Sequence, residues 1–266
     1  MAPVSVKSAR DFVAKAKIPA PRRRAPKAKS GRAGVSLQNT ADLKLDATKD
    51  QAVVVGSTVV SFVTGVTADR RDAIINSGLL AQLVAKHKVA DPQLIQAWYD
   101  AYFDALSNVG WVIQEKSFQK YHEATANFQT HEAILAVATT FLGAAPAALA
   151  LVVSTLNALH KMDENSPWIT IFDRESQKAE TAHFQISLAQ QSPTGEFFVE
   201  MMAFGLKAKS TVTQVLFFKA KASEVDLSHY SGRVTINTGV LDGVGPAIKA
   251  KLAGSANDYV KGLDLT

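Results

Sequence analysis

The segment HFQISLAQQSPTGEFFVEMMAFGL, residues 183–206, marks a change in hydrophobic period along the chain. Between residues 183 and 189 every second side chain is apolar, which is the pattern of a β-strand. The residues at 191–195 include Ser, Pro, Thr and Gly, as in a turn, and they lead into a second apolar run at 197–206. The segment therefore predicts two antiparallel strands joined by a short connection.

Further short runs with strand character lie at residues 168–172, 211–222 and 232–236. Consecutive short strands of this kind predict an antiparallel β-meander within residues 163–266. The runs at 197–206 and 211–222 are apolar on both faces, so we expect both faces of the sheet to be covered. Helices of the same chain, a C-terminal helix or another subunit would supply that cover. An exposed aromatic face that meets lipid or a partner is the alternative.

The last part of the chain predicts a helix over residues 244–263 with Asp242 as its N-cap. Its first part, residues 241–252, resembles the hairpin of helix-hairpin-helix DNA-binding proteins, in which a Gly-hydrophobic-Gly turn directs backbone N–H groups at a phosphate. The matching positions are Gly243, Val244, Gly245, Lys249 and Lys251. The segment before the turn has the pattern of a strand, and Lys249 stands where that family usually keeps a small residue. A glycine-rich turn into a terminal helix is the other interpretation.

Upstream of the strands, residues 46–162 carry apolar side chains three and four apart, with Pro92 and Pro146 as the prolines that interrupt them. This spacing predicts a bundle of about five or six helices. The fold class expected is α+β: an N-terminal helical bundle followed by an antiparallel β-meander and a C-terminal helix. The expected domains are an arm at 1–34, the bundle at 35–162, and a sheet with a C-terminal helix at 163–266 that can pack with the bundle as one unit.

Two segments of the predicted bundle carry no formal charge, 51–68 and the longer 133–160. Both are predicted as helices. As one helix the second would be about 42 Å long, which exceeds the roughly 30 Å hydrocarbon thickness of a bilayer. The sequence Gly-Ala-Ala-Pro at 143–146 interrupts it, so two helices that meet at a tight turn are an equal expectation.

An uncharged helical hairpin is what a soluble pore-forming protein keeps inside its bundle before insertion, since lipid excludes charges and helices satisfy their own backbone groups. The other interpretations are a helix pair in the centre of the bundle, apolar because other helices surround it, and a permanent transmembrane anchor. The candidate membrane-interacting residues are Ile134, Leu135, Val137, Phe141, Leu142, Leu149, Leu151, Val152, Val153 and Leu156.

The basic character of the chain, net +5, belongs to its N-terminal segment, residues 1–34. This segment holds ten basic side chains and one acidic side chain, a net charge of +9, so residues 35–266 together carry −4. Its prolines and the lack of large apolar side chains after Ile18 predict a disordered or docking arm, with a short amphipathic helix over 8–17 capped by Ser8. The candidate anionic-partner residues are Lys15, Lys17, Arg22, Arg23, Arg24, Lys27, Lys29 and Arg32.

Four interpretations of the arm are open. It can bind nucleic acid, lie on an anionic membrane surface, act as an organelle-targeting segment, or be either a solvated tail or an arm that docks on the acidic body of a neighbouring copy. No apolar segment of secretory type follows the first basic residues, so classical secretion is not expected and the compartment is left open.

Motifs for catalysis are absent from the sequence. There is no cysteine, which excludes disulfides, thiolate metal sites and cysteine nucleophiles. None of the six histidines stands in HExxH, and no GxSxG, GxxxxGK[ST] or GxGxxG occurs. We therefore expect a protein that is not an enzyme, without metal, cofactor or small-molecule substrate.

Two hypotheses for the function follow. The first is a non-enzymatic, membrane-active protein, pore-forming or toxin-like, that inserts the uncharged hairpin. The alternative is a self-assembling structural protein, a coat or scaffold, whose basic arm binds nucleic acid or a neighbouring subunit. Both lead us to expect a homo-oligomer.

Overall fold

The computed structural model describes residues 4–20, 44–114, 117–123, 125–163, 165–192, 196–253, 255 and 258–264. Within these residues it has seven α-helices and a mixed sheet of nine strands, which confirms the α+β class. The helices are α1 (Val6–Lys15), α2 (Ala68–Lys88), α3 (Ile95–Asn108), α4 (Thr130–Leu142), α5 (Pro146–His160), α6 (Pro167–Ser176) and α7 (Thr238–Leu252). The strands are β1 (Gln51–Val55), β2 (Thr58–Phe62), β3 (Trp111–Val112), β4 (Gln119–Lys120), β5 (Asn127–Gln129), β6 (Gln177–Lys178), β7 (Thr181–Gln191), β8 (Phe197–Ala208), β9 (Lys219–Lys221), β10 (Val225–Ile236) and β11 (Val260–Asp264).

The large sheet runs in the order β11-β1-β2-β7-β8-β10-β3, with β6 paired to β7 and β4 to β10. Strands β2 and β7 are parallel and the other pairs are antiparallel, while β5 and β9 form a separate small sheet. The predicted antiparallel meander is present in β7, β8 and β10, but it does not account for the whole sheet. Strands from both ends of the chain join the predicted hairpin of β7 and β8, and the meeting of β2 with β7 is parallel.

Helices cover both faces of this sheet, as the two apolar faces of β8 require. The first layer, as we call it, consists of α2, α3 and α7, with α1 packed on α7. The second layer consists of α4, α5 and α6. Each layer has its own hydrophobic core against one face of the strands. The predicted N-terminal bundle is therefore wrong, because α2 and α3 pack on one face of the sheet and α4 and α5 on the other, so they do not form a single bundle.

The segment 51–68 is not an uncharged helix. Its first part forms the hairpin of β1 and β2, turned at Gly56 with φ +56°, and α2 begins only at Ala68. Every residue of both strands is buried because the hairpin lies between the two layers. Burial on both faces removes the alternation that identifies a half-exposed strand, and the valines then match a helical spacing by coincidence.

Two predicted strands also have other structures. The run 168–172 lies within α6, because Ser166 caps a helix whose first residue is Pro167. The run 211–222 contains a 3-10 turn at Val215–Phe217 followed by the short β9. Local β-propensity is overridden in both places by capping and by tertiary packing.

The C-terminal helix is shorter and earlier than predicted. Asn237, rather than Asp242, is the N-cap of α7, and its side chain accepts a hydrogen bond from Val240 N at 3.2 Å. Gly243 and Gly245 lie inside the helix, so the chain lacks the turn of a helix-hairpin-helix motif here. The predicted helical end of the chain is instead β11.

Part of the basic arm packs on α7 of its own chain. Helix α1 is capped by Ser5 rather than by the predicted Ser8, and its Val13 is buried. Arg10 Nε donates to Gly243 O at 3.0 Å. A Cβ at Gly243 would lie 2.7 Å from Val6 Cγ1, so the glycine allows the two helices to approach closely.

Candidate functional site

The uncharged segment forms a hairpin of two helices, α4 and α5, which we call the α4–α5 hairpin (residues 130–160). Helix α4 has 13 residues and α5 has 15, with Pro146 in the first turn of α5. The break therefore falls at the predicted Gly-Ala-Ala-Pro sequence, where proline ends one helix and starts the next. Of the two expectations for this segment, a single long helix and a pair, the pair is confirmed.

The predicted membrane-interacting residues divide between two faces of the hairpin. Six are buried against the sheet: Ile134, Val137, Leu142, Leu151, Val152 and Leu156. Four are only partly buried: Leu135, Phe141, Leu149 and Val153. In the sheet the buried six meet apolar side chains that include Val54, Ile186 and Phe204. The geometry shows an apolar core contact, and no lipid is needed to explain it.

The outer face of the hairpin is exposed and has no formal charge after Glu132 in the first turn of α4. Its exposed side chains are small or neutral: Ala136, Thr139, Thr140, Ala147, Ala150, Ser154 and Asn157. From Ala133 to His160 the formal charge is zero. Solvent-facing helix surfaces usually carry charged residues on the side away from the core, so this surface is unusual for a helix pair in contact with water.

None of the helices in the described part of the chain is long and apolar enough to cross a bilayer. At about 1.5 Å per residue, α4 and α5 are roughly 20 and 22 Å long, against roughly 30 Å of hydrocarbon. Each helix also has a polar outer face.

The α4–α5 hairpin has few polar attachments to the rest of the protein. Ser61 Oγ of β2 and Thr155 Oγ1 of α5 share a buried hydrogen bond of 2.9 Å. At the start of α4, Thr130 N donates to Phe218 O at 3.0 Å. No ion pair among the described residues involves either helix. Apolar packing therefore supplies most of the attachment.

Two histidines meet at the open end of the hairpin. The rings of His131 in α4 and His160 in α5 are 5.6 Å apart, and Phe217 packs 4.5 Å from the ring of His160. His131 Nε2 is buried and has no hydrogen-bond partner in the part of the chain that the structure describes. Burial, and secondarily the nearby His160, lowers the pKa of His131, which the neighbouring Glu132 partly opposes. This pair was missed because its two members lie at opposite ends of the segment and share no motif.

The predicted anionic-partner residues are only partly placed. Lys15 and Lys17 are exposed at the end of α1 and just after it. The others, Arg22 to Arg32, lie outside the described residues, so binding of nucleic acid, lipid or a neighbouring subunit by the arm stays a prediction. Among the described residues, no group of three or more His, Asp or Glu side chains is arranged to hold a metal ion.

Comparison with known proteins identifies no family. No protein-family model matches the chain, and no curated protein matches it. Among solved structures, one described as delta-endotoxin has a TM-score of 0.35 and 14% sequence identity, covering 82% of this chain and 90% of that one. Another, the Evf virulence factor, has a TM-score of 0.33 and 10% identity, with coverage of 83% and 87%. Likeness at this level assigns no activity to this chain.

Proposed function

We propose that this protein is a non-enzymatic, membrane-active protein of toxin type whose α4–α5 hairpin leaves the sheet and enters the membrane interface. The observation that carries the proposal is the hairpin itself. It is a two-helix unit that carries no formal charge after Glu132 in its first turn, and one apolar face of it is stored against the sheet. Its attachment is almost wholly apolar, and lipid can replace an apolar contact where it cannot replace an ion pair.

The size of the buried face explains why the hairpin stays on the sheet in water. Six of the candidate residues are large aliphatic side chains buried on the sheet. At about 1.5–3 kcal/mol each, their exposure to water would cost on the order of 10–20 kcal/mol. Contact with acyl chains would return most of this free energy, so the membrane acts as a competing partner for the same surface.

The short helices lead to a specific geometry of insertion. The buried face of each helix would turn toward the acyl chains, and the outer face with Thr139, Thr140 and Ser154 would face water. Helices of this kind lie about 5–10 Å into the boundary between headgroups and acyl chains. Exposed Lys15 and Lys17 would add attraction to anionic lipid, about 1 kcal/mol per cation near the surface.

A reversible lock on the hairpin tests the proposal. The hydroxyl oxygens of Ser61 and Thr155 are 2.9 Å apart, so the double variant S61C/T155C places two thiols within reach of each other across β2 and α5. The natural chain has no cysteine, so these two have only each other to pair with inside one molecule. Co-flotation with vesicles of phosphatidylcholine and phosphatidylglycerol, and release of a trapped dye, are measured in the oxidised and reduced states.

We expect the reduced protein to bind vesicles and release dye, and the oxidised protein to lose dye release. The single variants S61C and T155C, treated with the same oxidant and reductant, control for the substitutions themselves. If the oxidised and reduced forms of the double variant release dye equally, the proposal that the hairpin leaves the sheet is overturned. Failure of the wild-type protein to bind the vesicles at neutral or mildly acidic pH would overturn membrane activity altogether.

A further inference from the structure

A cavity of about 430 Å³ opens between α2, α3, α6 and β7, and its buried apolar lining belongs to the core of the first layer. Its volume lies within the roughly 300–1,000 Å³ typical of small-molecule sites. The inner wall is apolar and is formed by Leu79, Leu83, Ile95 and Trp98. The polar side chains Ser57 and Gln82 also line it. An apolar wall with a few convergent polar groups is the usual composition of a ligand site.

Three cations, Lys86, Arg174 and Lys178, and two carboxylates, Asp91 and Glu175, line this cavity. Glu175 Oε2 is 2.7 Å from Lys86 Nζ, and Glu175 Oε1 is 2.7 Å from Arg174 Nε. The carboxylate side chain is only 5% exposed. The cations also lie near the ring of Tyr259, at 5.8 Å from Lys86 Nζ and 5.7 Å from Arg174 Cζ. Lys178 and Asp91 are exposed at the same cavity, so the three cations and two carboxylates of the lining leave a net charge of +1.

His183 of β7 supplies an uncharged polar group to the cavity. Its ring packs on Trp98 with 4.0 Å between centroids, and no hydrogen bond from the described residues reaches either ring nitrogen. Burial, with a smaller contribution from Lys86, lowers the pKa of His183 to about 4. At neutral pH the imidazole is therefore neutral and offers one N–H donor and one acceptor to a ligand.

We propose that this cavity binds a small organic anion with an apolar ring as its body, an aromatic carboxylate or sulfonate. The ring contacts Leu79, Leu83 and Ile95, and the oxyanion lies near Lys86 and Arg174. The neutral His183 donates its N–H to the same ligand. An anion is favoured over a cation because the buried carboxylate of Glu175 is already paired with Lys86 and Arg174. A cationic ligand would have to compete with these two side chains for it. This site is independent of the proposed release of the hairpin.

The test uses 8-anilinonaphthalene-1-sulfonate and its neutral counterpart N-phenyl-1-naphthylamine, which has the same aromatic body without the sulfonate. Binding of each to the full chain is measured by fluorescence titration and calorimetry. We expect one sulfonate per chain, displaced by 1-naphthoate. The variant K86M should weaken sulfonate binding roughly tenfold, the usual loss for one charge-assisted contact, and leave the neutral compound unchanged.

Matched variants separate this site from general dye binding. Lys88 is exposed on the same helical turn but does not line the cavity, so K88M should bind the sulfonate as the wild type does. R174M should repeat the effect of K86M, and H183F, which keeps a ring against Trp98, should weaken binding several-fold. A90W, at an exposed position of the lining, should block both compounds.

Circular dichroism establishes that each variant is folded. The proposal is overturned by no sulfonate binding to the wild type at millimolar concentration. It is equally overturned by binding that A90W does not weaken, by equal losses in K86M and K88M, or by losses of the neutral compound in K86M as large as those of the sulfonate.

Discussion

The first and second helical layers cover opposite faces of one sheet, but their polar attachments differ. In the first layer, Gln82 of α2 accepts hydrogen bonds from Ser57 N at 2.9 Å and from Ser57 Oγ at 3.1 Å, and its amide nitrogen donates to Val55 O at 2.8 Å. The α4–α5 hairpin of the second layer has one hydroxyl pair, Ser61 with Thr155, linking it to a strand of that sheet among the described residues.

A second buried contact of the first layer reaches the central strands. The hydroxyl of Tyr99 in α3 donates toward Phe204 O at 2.7 Å and Phe184 O at 2.9 Å, and it accepts from Gln185 Nε2 at 3.1 Å. Burial raises the pKa of Tyr99, so the phenol stays protonated. Buried polar groups must keep their partners, whereas apolar surfaces can exchange one apolar neighbour for another. The first layer therefore has buried polar contacts that oppose its separation from the sheet, and we propose that the hairpin is the part that is released.

The largest expected effect is on the first layer. The variant Q82A leaves Ser57 N–H and Val55 C=O buried without their partner and opens a small cavity. We expect the free energy of unfolding, measured by urea denaturation, to fall by about 3–5 kcal/mol. The exposed Gln93 provides the control, and Q93A should change stability by less than about 0.5 kcal/mol. A loss below about 1 kcal/mol in Q82A would contradict the role assigned to this side chain.

The second prediction concerns local opening. Amides of α4 and α5 should exchange with deuterium through an opening whose free energy lies about 2–3 kcal/mol below that of α2 and α3. Native-state hydrogen exchange followed by mass spectrometry measures this difference. Oxidised S61C/T155C is the control, since the crosslink should remove most of the difference in opening free energy between the two layers. Equal protection of the two layers in the wild type would break the distinction between them.

The third prediction is a pH dependence from the first-layer side of the sheet. Because burial holds the folded-state pKa of His183 at about 4, below the roughly 6.5 of an unfolded histidine, the unfolded chain binds more protons between these values. The stability contributed by neutral His183 is present above about pH 6.5 and is lost as the pH falls toward 4. The expected loss is about 1–3 kcal/mol.

Comparison with the variant H183F isolates the contribution of His183 to the pH dependence of stability. The carboxylates titrate in both proteins, so their contribution cancels in the comparison. Urea denaturation of the wild type and H183F at several pH values should show a flatter curve for the variant. The pKa of His131 in the second layer is also lowered by burial, so H131F should likewise make the stability depend less on pH. Parallel curves for wild type and H183F would rule out the assigned environment of His183.

The smallest expected effect is the loss of the hydroxyl pair in the second layer. T155V keeps the shape of the side chain and removes its hydrogen bond to Ser61, so we expect a loss of about 0.5–1.5 kcal/mol in urea denaturation. The double variant S61A/T155V should be no less stable than T155V, since both partners are then apolar. A loss in T155V as large as that in Q82A would show that the hairpin is fixed as firmly as α2.

Sequence reasoning found the elements whose local pattern agrees with their environment. Residues 183–189 of β7 alternate clearly, and the α4–α5 break follows from Pro146. It was wrong for residues 51–62, where burial on both faces conceals the period of two. The valines and the Gly56-Ser57 turn are the signals that could have identified that hairpin.

The cavity could not be found from the sequence. Its lining comes from Ser57 between two strands, from α2 and α3, from α6, and from Tyr259 near the end of the chain. Neither Glu175 with Lys86 nor His183 with Trp98 forms a pattern at any fixed spacing. Only the meeting of distant segments on the sheet brings these side chains together.

The pairing of β1 with β11 has a consequence for how the protein is made. Val55 lies opposite Val260, so most of the chain lies between the two strands in sequence. At about 5–20 residues per second, a ribosome needs roughly 10–40 s to deliver β11 after β1 has been synthesised. During that interval one edge of the valine-rich β1–β2 hairpin has no partner. Such an edge can pair with another chain, so the yield of native protein depends on how well this strand is kept apart until synthesis ends.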